Sequence, residues 1–172
     1  FLRIAENSDH AFLLESVEGG ERLARYSFLG KDPFLILRSE GGETVVERAG
    51  THERHTAPYL DALRDLMARH HSPSVPGLPR FTGGAVGFLG YDAASWFEPT
   101  LENRWAAFPK PAEGGDDAGF MLFDTILAFD HVKHRILVIA NAMVDGTGED
   151  EDTLRARYES ALAKIQILET EL

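Results

Sequence analysis

Glu15 and Ser16 are the first residues of this sequence whose types and setting could do chemistry. They follow the apolar run 11–14, and Gly19-Gly20 separates them from a second short apolar run, 26–29. A carboxylate and a hydroxyl at the end of an apolar strand can line a pocket with an apolar body and a few polar groups, which is the usual build of a small-molecule site. The same pair can instead cap the strand by bonding to neighbouring backbone. The residues by themselves leave both interpretations open.

A β-strand over 11–18 is predicted to position this pair. Side chains alternate between the two faces of a strand, so every second residue shares a face. The two sets are Phe12, Leu14 and Ser16 on one face, and Leu13, Glu15 and Val17 on the other. Because both sets are mostly apolar, we expect protein on both sides of this strand.

Short strands account for most of the other apolar runs. The first 50 residues are predicted to form a meander, with Gly41-Gly42 as the turn between strands 34–38 and 44–48. The runs 120–131 and 135–142 are the most apolar, and we expect them to pair as one hairpin at the centre of the sheet. The connection over 99–118 is predicted to be irregular.

Two segments have the three-and-four spacing of apolar residues that is typical of an amphipathic helix. The first covers 57–71, with Pro58 in its first turn, and the second covers 153–172. The predicted apolar stripe of the second helix consists of Leu154, Tyr158, Ala161, Leu162, Ile165, Leu168 and Leu172. The predicted fold class is therefore α+β, a mostly antiparallel β-sheet of meander and hairpins with flanking helices.

Composition narrows the class of protein. The chain has 172 residues, which suits one domain, and its 17 basic and 28 acidic residues give a net charge of −11. This charge argues against a surface for nucleic acid or for an anionic membrane, because both need clustered Lys and Arg. The absence of cysteine excludes disulfides and thiolate chemistry. Because the chain starts at Phe1 inside an apolar pattern, we expect it to be a fragment.

Three other patterns suggest a site but have simpler structural explanations. The glycines of 83–90 lack the Gly-Lys-Ser/Thr end of a phosphate loop and the G-x-G-x-x-G spacing, so we expect a strand that another backbone approaches closely. The histidine pairs His52/His55 and His131/His134 have no third zinc ligand at a fixed spacing. The acidic loop 145–152 lacks the ligand spacing of a calcium loop. We therefore predict no metal site in this chain.

The run FLLESVEGGERLARYSFLG, residues 12–30, resembles the start of anthranilate synthase component I, the large subunit of a chorismate-using enzyme of tryptophan biosynthesis. The glycine-rich strand that leads to Tyr91-Asp92, the 120–142 hairpin and the final helix resemble the same family. The resemblance implies that residues 1–172 form the N-terminal regulatory domain of that architecture and that the catalytic domain lies outside this chain. It also implies a cytoplasmic protein.

In this family the Leu-Leu-Glu-Ser element lines the site where L-tryptophan binds as a feedback inhibitor. The resemblance therefore assigns ligand binding to Leu14, Glu15 and Ser16, and we expect Tyr26 or Ser27 on the following strand to complete the wall. No catalytic residue is expected in this chain, and no cofactor. The magnesium-binding glutamates and the chorismate site of the family lie in the later domain, and a glutamine amidotransferase subunit, component II, supplies ammonia.

Two alternatives stay open. The sister family, para-aminobenzoate synthase component I, shares the layout, although Gly19-Gly20 and the 24–30 run resemble the anthranilate branch more closely. The chain could also be a free-standing interaction domain without a ligand. That alternative predicts a closed surface, whereas a domain cut from either synthase predicts an exposed apolar face.

Overall fold

The computed structural model describes residues 2–15, 25–98, 100–101, 115–146 and 148–172. The described part contains two mostly antiparallel β-sheets and flanking helices, as the predicted α+β class requires. The strands are β1 Ala11–Leu14, β2 Tyr26–Lys31, β3 Leu35–Glu40, β4 Glu43–Arg48, β5 Thr51–His55, β6 Gly84–Leu89, β7 Ala118–Phe123, β8 Thr125–Asp130 and β9 Arg135–Ala140. The helices are α1 Leu2–Ala5, α2 Tyr59–Arg69 and α3 Glu151–Glu171, with a 3₁₀ helix at Tyr91–Trp96.

The chain divides into two compact units. The first draws on the described residues of 2–33, 72–84 and 123–172, and the second on those of 34–71 and 85–122. The first unit contains the four-stranded sheet β1-β2-β8-β9. The second contains the five-stranded sheet β5-β4-β3-β7-β6. That residues 1–172 act as one regulatory domain stays a prediction.

In the first unit, one face of the four-stranded sheet packs against helices. Leu29 and Leu127 form a buried cluster with Ile4 of α1 and Leu168 of α3. The N-terminus of α3 is capped by Asp150, whose carboxylate accepts a hydrogen bond from the Thr153 backbone N–H at 2.8 Å. Such a cap satisfies a backbone donor that the helix cannot satisfy itself. It also lowers the pKa of Asp150.

In the second unit, Leu35, Leu37 and Leu122 form the core with helix α2. Tyr59 of α2 is buried, and its hydroxyl donates a hydrogen bond of 3.1 Å to the Leu37 carbonyl oxygen. The hydroxyl therefore keeps a partner inside the core, and burial raises its pKa. The helix begins at Tyr59 with Pro58 as its N-cap, two residues later than the predicted start at 57.

Several predicted elements are confirmed with adjusted bounds. Gly41 and Gly42 have φ of 59° and 85° and turn the hairpin between β3 and β4, where a positive φ favours glycine. The hairpin of β8 and β9 turns before Arg135, with His134 at φ 48°. The glycine-rich segment is strand β6.

Other expectations are wrong. Residues 120–131 are not one strand, because the chain leaves the ladder at Asp124: β7 belongs to one sheet and β8 to the other. The first 50 residues are likewise split, since β2 pairs with β1 and β8 and not with β3. The polar segment 51–55 is an exposed strand, β5, that pairs with β4. Strand β9 ends its sheet and is not central.

The packed face of α3 also differs from the predicted stripe. Ala161 and Leu168 are buried, but Leu154, Tyr158 and Leu162 are 42%, 60% and 39% exposed. The helix turns a neighbouring strip toward the sheet, where Arg157 and Lys164 contribute their stems. Apolar spacing alone does not distinguish these two strips.

Gly87 of β6 provides a test of close backbone packing. A Cβ at this position would lie 1.9 Å from the carbonyl oxygen of Gly119 in β7, so an alanine must push two hydrogen-bonded strands apart. We expect Gly87→Ala to lower the free energy of unfolding by about 1–3 kcal/mol, the usual cost of overpacking. Denaturant unfolding measures this change.

Gly115→Ala is the matched control, because a Cβ there would meet no atom within 4 Å. Equal stability of the two variants would show that β6 and β7 do not approach each other as described.

Candidate functional site

The predicted ligand-binding residues lie at the end of β1 and the beginning of β2. In the antiparallel ladder, Leu13 is opposite Leu29 and Leu14 is opposite Phe28. Leu14 is 46% exposed, and Glu15 follows the strand as an exposed residue. Ser16 lies outside the described residues. Leu14 and Glu15 are therefore both exposed to solvent at the end of β1.

Exposure at β1 corrects one expectation. Protein on both sides of this strand was predicted, yet Leu13 and Leu14 are 38% and 46% exposed, and only Phe12 is buried. The reason is position: β1 is at the end of the described four-stranded sheet and pairs with β2 alone. Exposed leucines on an edge strand leave room for a ligand or for another part of the protein.

The register of β1 and β2 decides which candidate residues share a face. Cross-strand partners lie on the same face, and alternate residues of one strand also do. Leu14 therefore shares a face with Phe28 and Tyr26, and the rings of these two aromatics lie 5.9 Å apart. Ser27 lies on the opposite face with Leu29. The structure therefore places Leu14 and Tyr26 on one face of the sheet and Ser27 on the other.

An aromatic cluster supports the face that carries Leu14. The Phe12 ring contacts Phe123 at a centroid distance of 4.8 Å and Phe81 at 6.3 Å, and Phe81 also contacts Phe28 at 5.3 Å. A Cβ at Gly30 would lie only 2.4 Å from the Phe12 ring, so glycine at this position makes room for that ring. Edge-to-face contacts of this kind hold the strands in one arrangement.

Ser27 is engaged by a residue of the β8–β9 hairpin. It is 6% exposed, and its hydroxyl oxygen lies 2.8 Å from Nε2 of His131. The backbone N–H of His131 donates to the Arg25 carbonyl oxygen at 2.9 Å. Ser27 and His131 thus fasten the beginning of β2 to the end of β8. In this arrangement the Ser27 hydroxyl supports the site from behind.

An ion pair that the sequence patterns did not single out lies at the same end of the sheet. The Arg25 guanidinium donates to both carboxylate oxygens of Asp130, at 3.0 and 2.8 Å. The Asp130 side chain is 0% exposed, accepts a bond from the Lys133 backbone N–H at 3.2 Å, and lies 3.6 Å from Nε of Arg135. Arg25 beside it holds the pKa of Asp130 below its usual range.

The sequence positions of Arg25 and Asp130 indicate that each needs a partner of opposite charge. Arg25 directly precedes Tyr26 in the 12–30 run, and Asp130 ends an apolar strand at a turn. A carboxylate that terminates a buried strand needs a cationic partner, because a buried charge without one is strongly unfavourable. Sequence spacing could not identify that partner, since 105 residues separate the two.

The described residues contain no group of three or more His, Asp or Glu side chains that could hold a metal ion. No described helix is long and apolar enough to cross a membrane.

Comparison with known proteins identifies the relatives of this chain. No protein-family model matches it. It is 37% identical to anthranilate synthase component 1 of Acetivibrio thermocellus over 168 residues, which cover 97% of this chain and 32% of that protein. It is 37% identical to anthranilate synthase component 1 of a Synechocystis species over 171 residues, which cover 99% of this chain and 32% of that protein.

A solved structure agrees. Anthranilate synthase component I from Streptococcus pneumoniae TIGR4 matches with a TM-score of 0.56 and 27% sequence identity, covering 96% of this chain and 34% of that one. The chain is a homologue of part of anthranilate synthase component I. It spans about a third of the length of the curated relatives it matches. The resemblance drawn from residues 12–30 and the later segments is therefore confirmed, and so is the α+β class.

The lowered pKa of Asp130 predicts how the stability of the fold depends on pH. Because the pKa of Asp130 is lowered in the folded protein, its ionised form contributes stability above the ordinary aspartate pKa of about 4. That contribution is lost as the pH falls through the lowered value. We expect Asp130→Asn to unfold at a lower denaturant concentration at pH 7 and to lose less stability than the parent between pH 5 and the acid limit of folding.

Asp9→Asn is the control, because Asp9 is exposed and belongs to the same unit. If both substitutions left the unfolding midpoint at pH 7 unchanged, the Arg25–Asp130 pair would not stabilise the sheet.

Proposed function

We propose that this chain is the regulatory part of an anthranilate synthase component I and that the end of β1 forms part of an L-tryptophan feedback site. The observation that carries the proposal is that Leu14 and Tyr26 share a face of the sheet, with Glu15 exposed at the end of β1, in a homologue of that enzyme. The site residues proposed are Leu14, Glu15, Ser16, Tyr26 and Ser27. The whole protein would convert chorismate and ammonia to anthranilate, pyruvate and water.

Each part of tryptophan has a complementary group in this proposal. The indole ring would lie against Leu14 and the half-buried Tyr26, which together offer apolar and aromatic surface. The ammonium group would pair with the exposed carboxylate of Glu15, and the hydroxyl of Ser16 would bind a polar group of the amino acid. Ser27 would act from behind, by holding β2 to His131.

Inhibition requires that the ligand distinguish two states of the enzyme. A ligand shifts an equilibrium only by its difference in affinity for the two conformations. Tryptophan would therefore favour an arrangement of component I in which the chorismate site is less active, and chorismate would weaken tryptophan binding by the same factor. The groups that hold chorismate and magnesium are proposed to lie outside this chain. Ammonia is proposed to come from a glutamine amidotransferase partner, component II.

The surface of the chain favours this proposal over a free-standing domain. Leu154, Tyr158 and Leu162 form an exposed apolar ridge on α3, with an exposed fraction of 39% or more each. A free-standing domain is expected to keep such ridges small, whereas a part of a larger protein presents them to its neighbours. In the para-aminobenzoate synthase alternative, tryptophan would be absent or only structural, and the native product of the full-length protein distinguishes the two.

Ser16→Phe tests the site directly. A phenyl ring would occupy the space proposed for the indole, so tryptophan inhibition should fall by at least tenfold while the uninhibited kcat and KM for chorismate stay within about twofold of the parent. Inhibition of full-length component I by tryptophan measures the effect. Unchanged sensitivity to tryptophan would remove Ser16 from the site.

Leu14 and Leu13 provide a matched pair for the face assignment. They are neighbours of the same type with similar exposure, but they lie on opposite faces of β1. Leu14→Ala should weaken tryptophan binding about 5- to 30-fold, because it removes roughly 1–2 kcal/mol of apolar contact. Leu13→Ala should change it less than twofold.

Calorimetric titration of tryptophan into the two full-length variants makes the comparison. A stronger effect of Leu13→Ala would place the ligand on the other face, with Ser27.

A further inference from the structure

A cavity of about 330 Å³ lies in the first unit, away from the proposed tryptophan site. It is open to solvent on one side and is lined by the end of β2, the beginning of β8 and the last turns of α3. Its apolar wall includes Leu29, Leu127 and Leu168, which belong to the buried cluster of this unit. The volume and the mixed lining are within the range of small-molecule sites.

Two ion pairs stand at this cavity, each joining the sheet to α3. Nζ of Lys31 lies 2.7 Å from Oε2 of Glu171, and Lys164 donates to the carboxylate of Asp124. The Lys31 and Asp124 side chains are only 16% and 11% exposed, so these charges are held largely out of water. Ammonium and carboxylate groups are therefore present in equal number among these four residues. The other charged lining residue, Asp32, is 65% exposed, so water screens its carboxylate.

The equal number of ammonium and carboxylate groups in these two ion pairs favours a zwitterionic ligand. An anion or a cation bound beside two matched ion pairs would add a charge with no compensating partner, which is costly where water is excluded. A zwitterion adds one charge of each sign, so its carboxylate can accept from a lysine while its ammonium donates to an aspartate or glutamate. An apolar body joined to the two charges would contact the leucine wall.

We propose that this cavity binds a free α-amino acid with an apolar side chain. Lys164 would hold the ligand carboxylate, since its side chain is 43% exposed and can turn from Asp124 into the cavity. Asp124 and Glu171 would accept hydrogen bonds from the ligand ammonium. The cavity lies on the face of the sheet that carries Leu29, whereas Leu14 and Tyr26 lie on the opposite face. The proposal does not depend on tryptophan binding at β1.

Titration calorimetry with three related probes tests the charge requirement. L-Leucine carries both charges, 4-methylpentanoate carries only the carboxylate, and 3-methylbutylamine carries only the ammonium. We expect L-leucine to bind the full-length protein at least tenfold more tightly than either analogue. No heat from L-leucine at 10 mM, or equal affinity of the three probes, overturns the proposal.

Two substitutions with matched controls assign the binding to this cavity. Ile167→Trp places a large ring at a lining position and should abolish L-leucine binding, while Leu162→Trp, on the same helix outside the cavity, should leave it unchanged. Lys164→Ala should weaken L-leucine binding at least tenfold, while Lys133→Ala should not change it.

The same titration in Ser16→Phe separates this site from the proposed feedback site. Leucine binding that survives Ser16→Phe and is lost in Ile167→Trp supports the cavity. Leucine binding that is lost in Ser16→Phe and survives Ile167→Trp places the amino acid at β1 and overturns the cavity proposal, while leaving the tryptophan proposal standing.

Discussion

The buried carboxylate of Asp130 constrains the end of the sheet at which the candidate site lies. A carboxylate removed from water must be paired and hydrogen-bonded to be stable in the fold. Asp130 meets this requirement with the guanidinium of Arg25 and the backbone N–H of Lys133. Arg25 immediately precedes β2, and Lys133 belongs to the turn between β8 and β9. The pair therefore fixes where β2 begins relative to the hairpin, and Tyr26 stands opposite Asp130.

That alignment determines which face each candidate residue occupies. A shift of one residue in a strand exchanges all of its side chains between faces. With Tyr26 opposite Asp130, Ser27 turns toward the helices and His131, and Tyr26 turns to the face of Phe28 and Leu14. The choice between Tyr26 and Ser27 as a wall of the site, which the sequence left open, thus depends on an ion pair that spans 105 residues.

Local features of the fold were predictable because local chemistry decides them. Gly41-Gly42 specifies a hairpin turn, Pro58 precedes a helix, and the apolar run 26–29 marks a strand. The break at Asp124 was not predictable, because apolar residues continue on both sides and only the tertiary structure assigns them to different sheets. Strand β5 was missed for the opposite reason: its residues are all polar and exposed, and pairing with β4 alone holds it.

The position of β1 determines how a ligand at the proposed site could act. The beginning of β1 is held by packing, because the Phe12 ring lies against Gly30 and other aromatic rings. Its end is exposed at Leu14, and the exposed Glu15 follows. Strand β2 is held on both sides, by β1 and by β8, and its alignment is fixed by Arg25. A ligand that touches both strands therefore has little freedom to move β2. Under the proposed function, tryptophan would act at the exposed end of β1, at Leu14 and Glu15, because the end of an edge strand changes conformation at a lower free-energy cost than a paired, buried strand.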